Sequence, residues 1–227
     1  MKKCITSLLS VALILSCMSS VYASDYRETN ELTMVDVDEL TELSINESTV
    51  LDDGTVVTRI SYSDYLNETA RNNKTTVCEV QNQEEHGMIN SINSNEFYYN
   101  YSKECGLDGT STCKFRAILH ATLKLWTNGA NAQISNCSAV YTTASAGSYN
   151  YEWIEAASYS DPPVNDSNSF PVGVIYLFGD GQFKVTTSTS TEGSVDLEIL
   201  GFSRASQTSK IWYSNTLHMR GSYQYYK

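Results

Sequence analysis

Phe115-Arg116-Ala117-Ile118-Leu119-His120-Ala121-Thr122-Leu123-Lys124-Leu125 decides the fold class, because its odd positions are apolar and its even positions mostly polar. Side chains of an extended chain alternate between two faces, so a period of two marks a strand with one face in a core and the other toward water. Thr127-Asn128-Gly129-Ala130 follows at once. Asn-Gly tolerates the positive φ angles of a two-residue hairpin turn, so the chain is expected to fold straight back through Ala132 to Thr142.

Working outward, Asp180-Gly181 offers a second tight turn between strands Val172–Phe178 and Phe183–Thr189. Glu192-Gly193 offers a third before Val195–Phe202. Together these predict a three-strand meander. Thr75–Val80, Tyr149–Ala156, Lys210–Tyr213 and Leu217–Tyr226 supply further strands. The expectation is an all-β fold, an antiparallel β-sandwich or open barrel of roughly nine to ten short strands.

The N-terminal part is different in kind. Lys2 and Lys3, an apolar run from Ile5 to Cys17, and Val21-Tyr22-Ala23 have the order of a secretory signal peptide, which assigns residues 1–23 to export. Ile14-Leu15-Ser16-Cys17 offers an alternative exit, in which Cys17 is lipidated and holds the protein at the cell surface. Ser24–Asp53 holds ten acidic residues against Arg27 alone. Residues 24–73 are therefore expected to form an acidic leader, partly disordered, with Leu32, Val35, Leu40 and Leu43 on one side of a short helix. The β domain is assigned to 74–227.

The whole chain carries a formal net charge of −11. An acidic chain without a basic patch repels phosphate backbones and anionic headgroups, which argues against nucleic acid as a partner, and against membranes unless Cys17 is lipidated. Four cysteines follow the signal segment: Cys78, Cys105, Cys113 and Cys137. An even number in an exported chain predicts two disulfides. A two-residue Asn128-Gly129 turn sets Cys137 opposite His120, leaving Cys113 about 23 Å further along its strand at 3.3 Å per residue. Disulfides need Cα atoms within about 7 Å, so the expected pairs are Cys105–Cys113 and Cys78–Cys137.

Catalytic chemistry has no motif to rest on. His86, His120 and His218 lack metal-ligand spacing, no G-x-S-x-G occurs, and Glu152, Glu155, Asp196 and Glu198 offer no preferred carboxylate pair. No catalytic residue, metal site or cofactor is assigned. Aromatics carry the binding signal, since sixteen tyrosines include the alternating Tyr149, Tyr151 and Trp153, with Tyr223 and Tyr225 repeating the pattern. An exposed stripe of such rings stacks on sugars or peptides, whereas an inward one is core.

The Ser/Thr run Thr186–Thr191 resembles the membrane-inserting hairpins of pore-forming toxins, but Val195, Leu197 and Ile199 across the Glu192-Gly193 turn predict an ordinary hairpin with one wet face. In layout, the signal peptide, acidic leader and Ser/Thr/Tyr-rich β domain resemble small exported β-proteins of unknown function from Gram-positive bacteria, a resemblance that implies no activity. The functional expectation is a secreted, non-catalytic binding module for a surface glycan or protein. A secreted antagonist or toxin-like protein stands second, and an extracellular hydrolase third.

Overall fold

In the computed structural model, the 115–125 alternation is one strand of an antiparallel sheet. The structure describes residues 32–72, 95–108, 113–189 and 194–226. The signal segment, Cys17, Ser24–Glu31, the strand expected at Thr75–Val80, Cys78, His86 and Glu192-Gly193 lie outside them.

In chain order the described elements are β1 (Thr33–Asp36), α1 (Val37–Glu42), β2 (Ser48–Val50), β3 (Val56–Ile60), α2 (Tyr62–Asn72), β4 (Glu96–Gly106), β5 (Arg116–Thr127) and β6 (Ala132–Ser145). There follow β7 (Tyr151–Asp161), β8 (Val174–Thr186), α3 (Ser194–Ile199), β9 (Ser203–Arg204), β10 (Ile211–Tyr213) and β11 (Leu217–Tyr226). The protein is mostly β, with eleven strands among the described residues rather than nine or ten. They form two sheets. One is antiparallel, in the order β2-β3-β4-β5-β6; the other runs β1-β11-β8-β10-β9, with β7 also on β8. The second sheet is mixed, because β1 runs parallel to β11. Neither sheet closes into a barrel.

Tyr99, Leu119 and Leu123 from the antiparallel sheet share one buried cluster with Ile175, Leu177 and Tyr223 from the mixed sheet. The main core therefore joins the two sheets, and the odd positions of β5 point into it, as their alternation requires. A second cluster gathers Phe115, Phe183, Val185, Leu197, Phe202 and Trp212. The β6 edge is covered rather than left to template another strand. Ile134 exchanges both backbone hydrogen bonds with Val172 (2.8 and 3.0 Å), and the Asn165 amide donates to the Cys137 carbonyl at 2.9 Å. Tyr151 and Ser158 hydroxyls donate to the carbonyls of Ala144 and Val140.

Several expectations give way here. The β5–β6 turn is Asn128–Asn131, four residues rather than two, since Thr127 pairs with Ala132. The Asn128 side chain accepts from the amides of Ala130 and Asn131, and Gly129 takes the positive φ (88°). With two register shifts further along, Cys137 faces Leu123 and not His120. Among the described residues Cys105, Cys113 and Cys137 are free thiols, so the expected Cys105–Cys113 bridge is corrected, while the Cys78–Cys137 pair involves a residue outside them. Cys105 packs against the core between the sheets, whereas Cys113 is buried in the second cluster, so the expected partners belong to different cores.

Asp180-Gly181 makes no turn. β8 runs straight through it, because Gly179 and Gly181 admit close approach instead of reversing the chain. A Cβ on Gly181 would lie 2.3 Å from Cζ2 of Trp153, and one on Gly179 would lie 2.6 Å from Cγ2 of Thr142. The strand expected over Val195–Phe202 is instead the helix α3, which removes the third arm of the meander and the hairpin compared with a pore-forming one. Its stop signal is Gly201, at φ 82°. Gly201 N–H donates to Glu198 O and Phe202 N–H to Leu197 O, the paired bonds of a left-handed helix end, with Leu197 and Phe202 buried together.

Nor do residues 32–72 form a solvated leader. Asp36 caps α1 through the Asp38 amide, and Val35, Val37 and Leu40 are buried in the main core. Tyr99 donates its hydroxyl to the Leu40 carbonyl at 2.9 Å. Asp38, Glu39, Glu42, Glu47 and Asp52 face water. The acidic composition thus reports only the outer side of a segment whose inner side is apolar.

Candidate functional site

A bulge in β7 determines which aromatic rings reach solvent. Up to Ile154 the odd residues of β7 face the core, with Tyr151 opposite Val185 and Trp153 opposite Phe183. The register shifts between Glu155 and Ala157, after which Tyr159 stands opposite Phe178 on the outer face. One extra residue has exchanged the faces.

The stripe read from the sequence consequently faces inward. Tyr149 packs its ring 5.0 Å from Phe115, and Tyr151 sends its hydroxyl to the Ala144 carbonyl. Trp153 lies edge-on to Phe183 at 5.0 Å, donates Nε1–H to Thr142 Oγ1 at 2.8 Å and covers Gly181. Tyr223 and Tyr225 are buried in the main core. Their hydroxyls are used internally: Tyr225 donates to the Tyr101 hydroxyl at 2.5 Å, and Tyr223 bonds Thr55 Oγ1 at 2.8 Å. Burial pushes both phenols well above their ordinary value. None of these five residues presents a stacking platform.

The outer face of β7, β8 and β11 does. Pairing across the three strands creates rows of side chains: Tyr159, Phe178 and Arg220 in one, Asp161, Tyr176 and Ser222 in the next, Ala157, Asp180 and His218 on the other side. Tyr159 and Phe178 stack at 4.7 Å with 16° between their planes, and the Arg220 guanidinium lies 5.3 Å from the Phe178 centroid. Such stacking contributes about 0.5–1.5 kcal/mol beyond area burial and fixes the ring orientation. Tyr159 remains 41% exposed and Tyr176 39%.

Beside the rings, Asp180 accepts from Arg220 Nη1 at 2.7 Å and lies 2.8 Å from His218 Nδ1. Partial burial works to raise the Asp180 carboxyl; the hydrogen bonds from Arg220 and His218 outweigh it and hold it below its ordinary 3.8. Arg220 Nη1 also donates to the carbonyls of Met219 and Gly179, which locks the guanidinium against Phe178. Ser222 Oγ is buried in this face without a hydrogen-bond partner. Asp161 is exposed at the end of β7, two residues from Tyr159 and directly opposite Tyr176.

Elsewhere, strand pairing unites a serine and a histidine that spacing alone could not connect. Ser102 Oγ lies 3.0 Å from His120 Nδ1, while His120 Nε2 meets Thr143 Oγ1 at 2.8 Å and the ring stacks on Tyr141. Burial lowers the imidazole from its ordinary value. Acyl-transfer triads place a carboxylate on the second ring nitrogen, and here that position holds a hydroxyl. Among the described residues no group of three His, Cys, Asp or Glu side chains is arranged to hold a metal, and no helix is long and apolar enough to cross a membrane.

No protein-family model, curated protein or solved structure matches the chain. The site must accordingly be read from its own geometry.

Proposed function

We propose that the protein is an exported, non-catalytic binding module that engages a surface glycan or protein through the outer face of β7, β8 and β11. In this reading the signal peptide at 1–23 delivers the chain outside the cell, and the two sheets act as the layers of a β-sandwich whose inner faces supply stability. The observation that carries the proposal is the stacked Tyr159–Phe178–Arg220 row beside exposed Tyr176, on a sheet face that is not needed for the core. Rings held before a ligand arrives lose little side-chain freedom on binding, which favours affinity. Kinship with small exported β-proteins belongs to the same proposal.

The test is retention on cell-surface fractions. A Tyr159→Ala/Tyr176→Ala double variant is expected to lose at least about tenfold in affinity, equivalent to about 1.4 kcal/mol, as two exposed aromatic contacts are removed. Its stability should fall by no more than the lost stacking on Phe178, about 0.5–1.5 kcal/mol, with a cooperative transition retained. Undiminished retention of the double variant would refute the assignment of this face.

A further inference from the structure

We infer that the ligand of the β7–β8–β11 face is an uncharged carbohydrate, a conclusion that rests on reading this face as the binding surface. Among the described residues the face has no cation to spare. Its basic side chains on these three strands are Lys184, His218 and Arg220, and each already meets a carboxylate: Lys184 reaches Glu152 at 2.7 Å, and His218 and Arg220 share Asp180. Asp161 adds an exposed carboxylate beside the rings, in no ion pair among the described residues. An anionic glycan, phosphate or acidic headgroup brought to this surface would meet like charge.

The pattern of the remaining groups also selects among uncharged ligands. Tyr176 and Phe178 occupy alternate positions of β8, so their rows are about 7 Å apart at 3.4 Å per residue. Asp161 lies in the Tyr176 row, placing a strong acceptor next to both exposed phenol rings. A sugar ring has an apolar C–H face suited to an aromatic plane and equatorial hydroxyls suited to a carboxylate and phenol oxygens at its margin. Protein hot spots use Tyr and Arg as well, but they fill well-packed, water-excluded pockets rather than lie on an open strand surface. Here polar and aromatic positions interleave across an open sheet face, and the Asp161 carboxylate, at the end of edge strand β7, adjoins both exposed rings.

Affinity electrophoresis against soluble glucan, mannan, galactan and chitin oligosaccharides tests the inference, with alginate as an anionic arm and an oligolysine peptide as a cationic one. At least one uncharged glycan is expected to retard the protein. Binding should fall at least about tenfold in Tyr159→Ala and in Asp161→Ala, while changing less than about twofold between 0.05 and 0.5 M salt, because no ion pair forms. Retardation by none of the uncharged glycans, or only by alginate or oligolysine, overturns the inference. The underlying reading is judged separately. If retention on cell-surface fractions still depends on Tyr159 and Tyr176 but is abolished by protease treatment of that surface, the carbohydrate assignment falls and the binding face stands. If retention is independent of both tyrosines, both fall.

Discussion

Deletion of residues 32–53 is expected to leave a chain without a cooperative thermal transition. The segment includes β1, which hydrogen-bonds to β11, together with the buried Val35, Val37 and Leu40. Fully burying a side chain of this kind contributes about 1.5–3 kcal/mol. Its loss also strips the Tyr99 hydroxyl of the Leu40 carbonyl and Lys103 of its 2.7 Å contact with Asp53. Together these losses reach the scale of a whole domain's net stability, about 5–15 kcal/mol. Circular dichroism melts of the deleted and full chains make the comparison, and a cooperative transition surviving near the parental midpoint would show that the segment is an appendage after all. The milder Leu40→Ala is expected to cost about 2–5 kcal/mol.

Gly181 and Trp153 are expected to behave as one unit in a double-mutant cycle. Trp153→Ala removes a large ring from above Gly181, its contact with Phe183 and its hydrogen bond to Thr142, and should cost about 3 kcal/mol, the low end for such truncations because the ring is only half-buried. Gly181→Ala in the parent drives a methyl to 2.3 Å from the indole, and overpacking of this kind costs about 1–3 kcal/mol. In the Trp153→Ala background the same methyl enters vacated space, so its cost should vanish or reverse. The coupling should therefore be at least about 1 kcal/mol in denaturant titrations. Additive effects would mean that the indole does not sit over Gly181.

The two residues also show why some of this architecture is readable from sequence and some is not. The odd positions of β5 could be assigned to the core because Ala117, Leu119, Ala121, Leu123 and Leu125 put an apolar side chain at every second position, all on one buried face. Bulges leave no such trace. The single residue inserted between Glu155 and Ala157 carries no unusual composition, yet it decides that Trp153 points inward and Tyr159 outward. Glycine is equally ambiguous. Asp180-Gly181 has the letters of a turn, and only the position of Trp153, 28 residues earlier, shows that the missing side chain is needed for packing.

Asn128-Gly129 was recognisable as a reversal, whereas its four-residue length depends on the side chain of Asn128 bonding two amides. In the N-terminal segment the charges dominate the composition, so the sparse buried positions Val35, Val37 and Leu40 were outweighed although they carry the energy. The candidate site was hidden for a related reason. Tyr159 belongs to β7, Tyr176 and Phe178 to β8 and Arg220 to β11, and only strand register makes neighbours of them. The Tyr149, Tyr151 and Trp153 stripe was visible because it is contiguous, and the same regular alternation is what fits those rings to a core.

The assignment of the outer β7–β8–β11 face is tested most directly by residue-resolved tyrosine nitration of the protein, free and bound to a cell-surface fraction. Tyr159, Tyr176 and Tyr226, respectively 41%, 39% and 44% exposed, should be modified in the free protein, while the buried Tyr99, Tyr101, Tyr223 and Tyr225 stay protected. On binding, labelling of Tyr159 and Tyr176 should fall. Nitration of Tyr223 and Tyr225 as fast as Tyr159, or undiminished labelling of Tyr159 and Tyr176 in the bound state, would contradict the assignment.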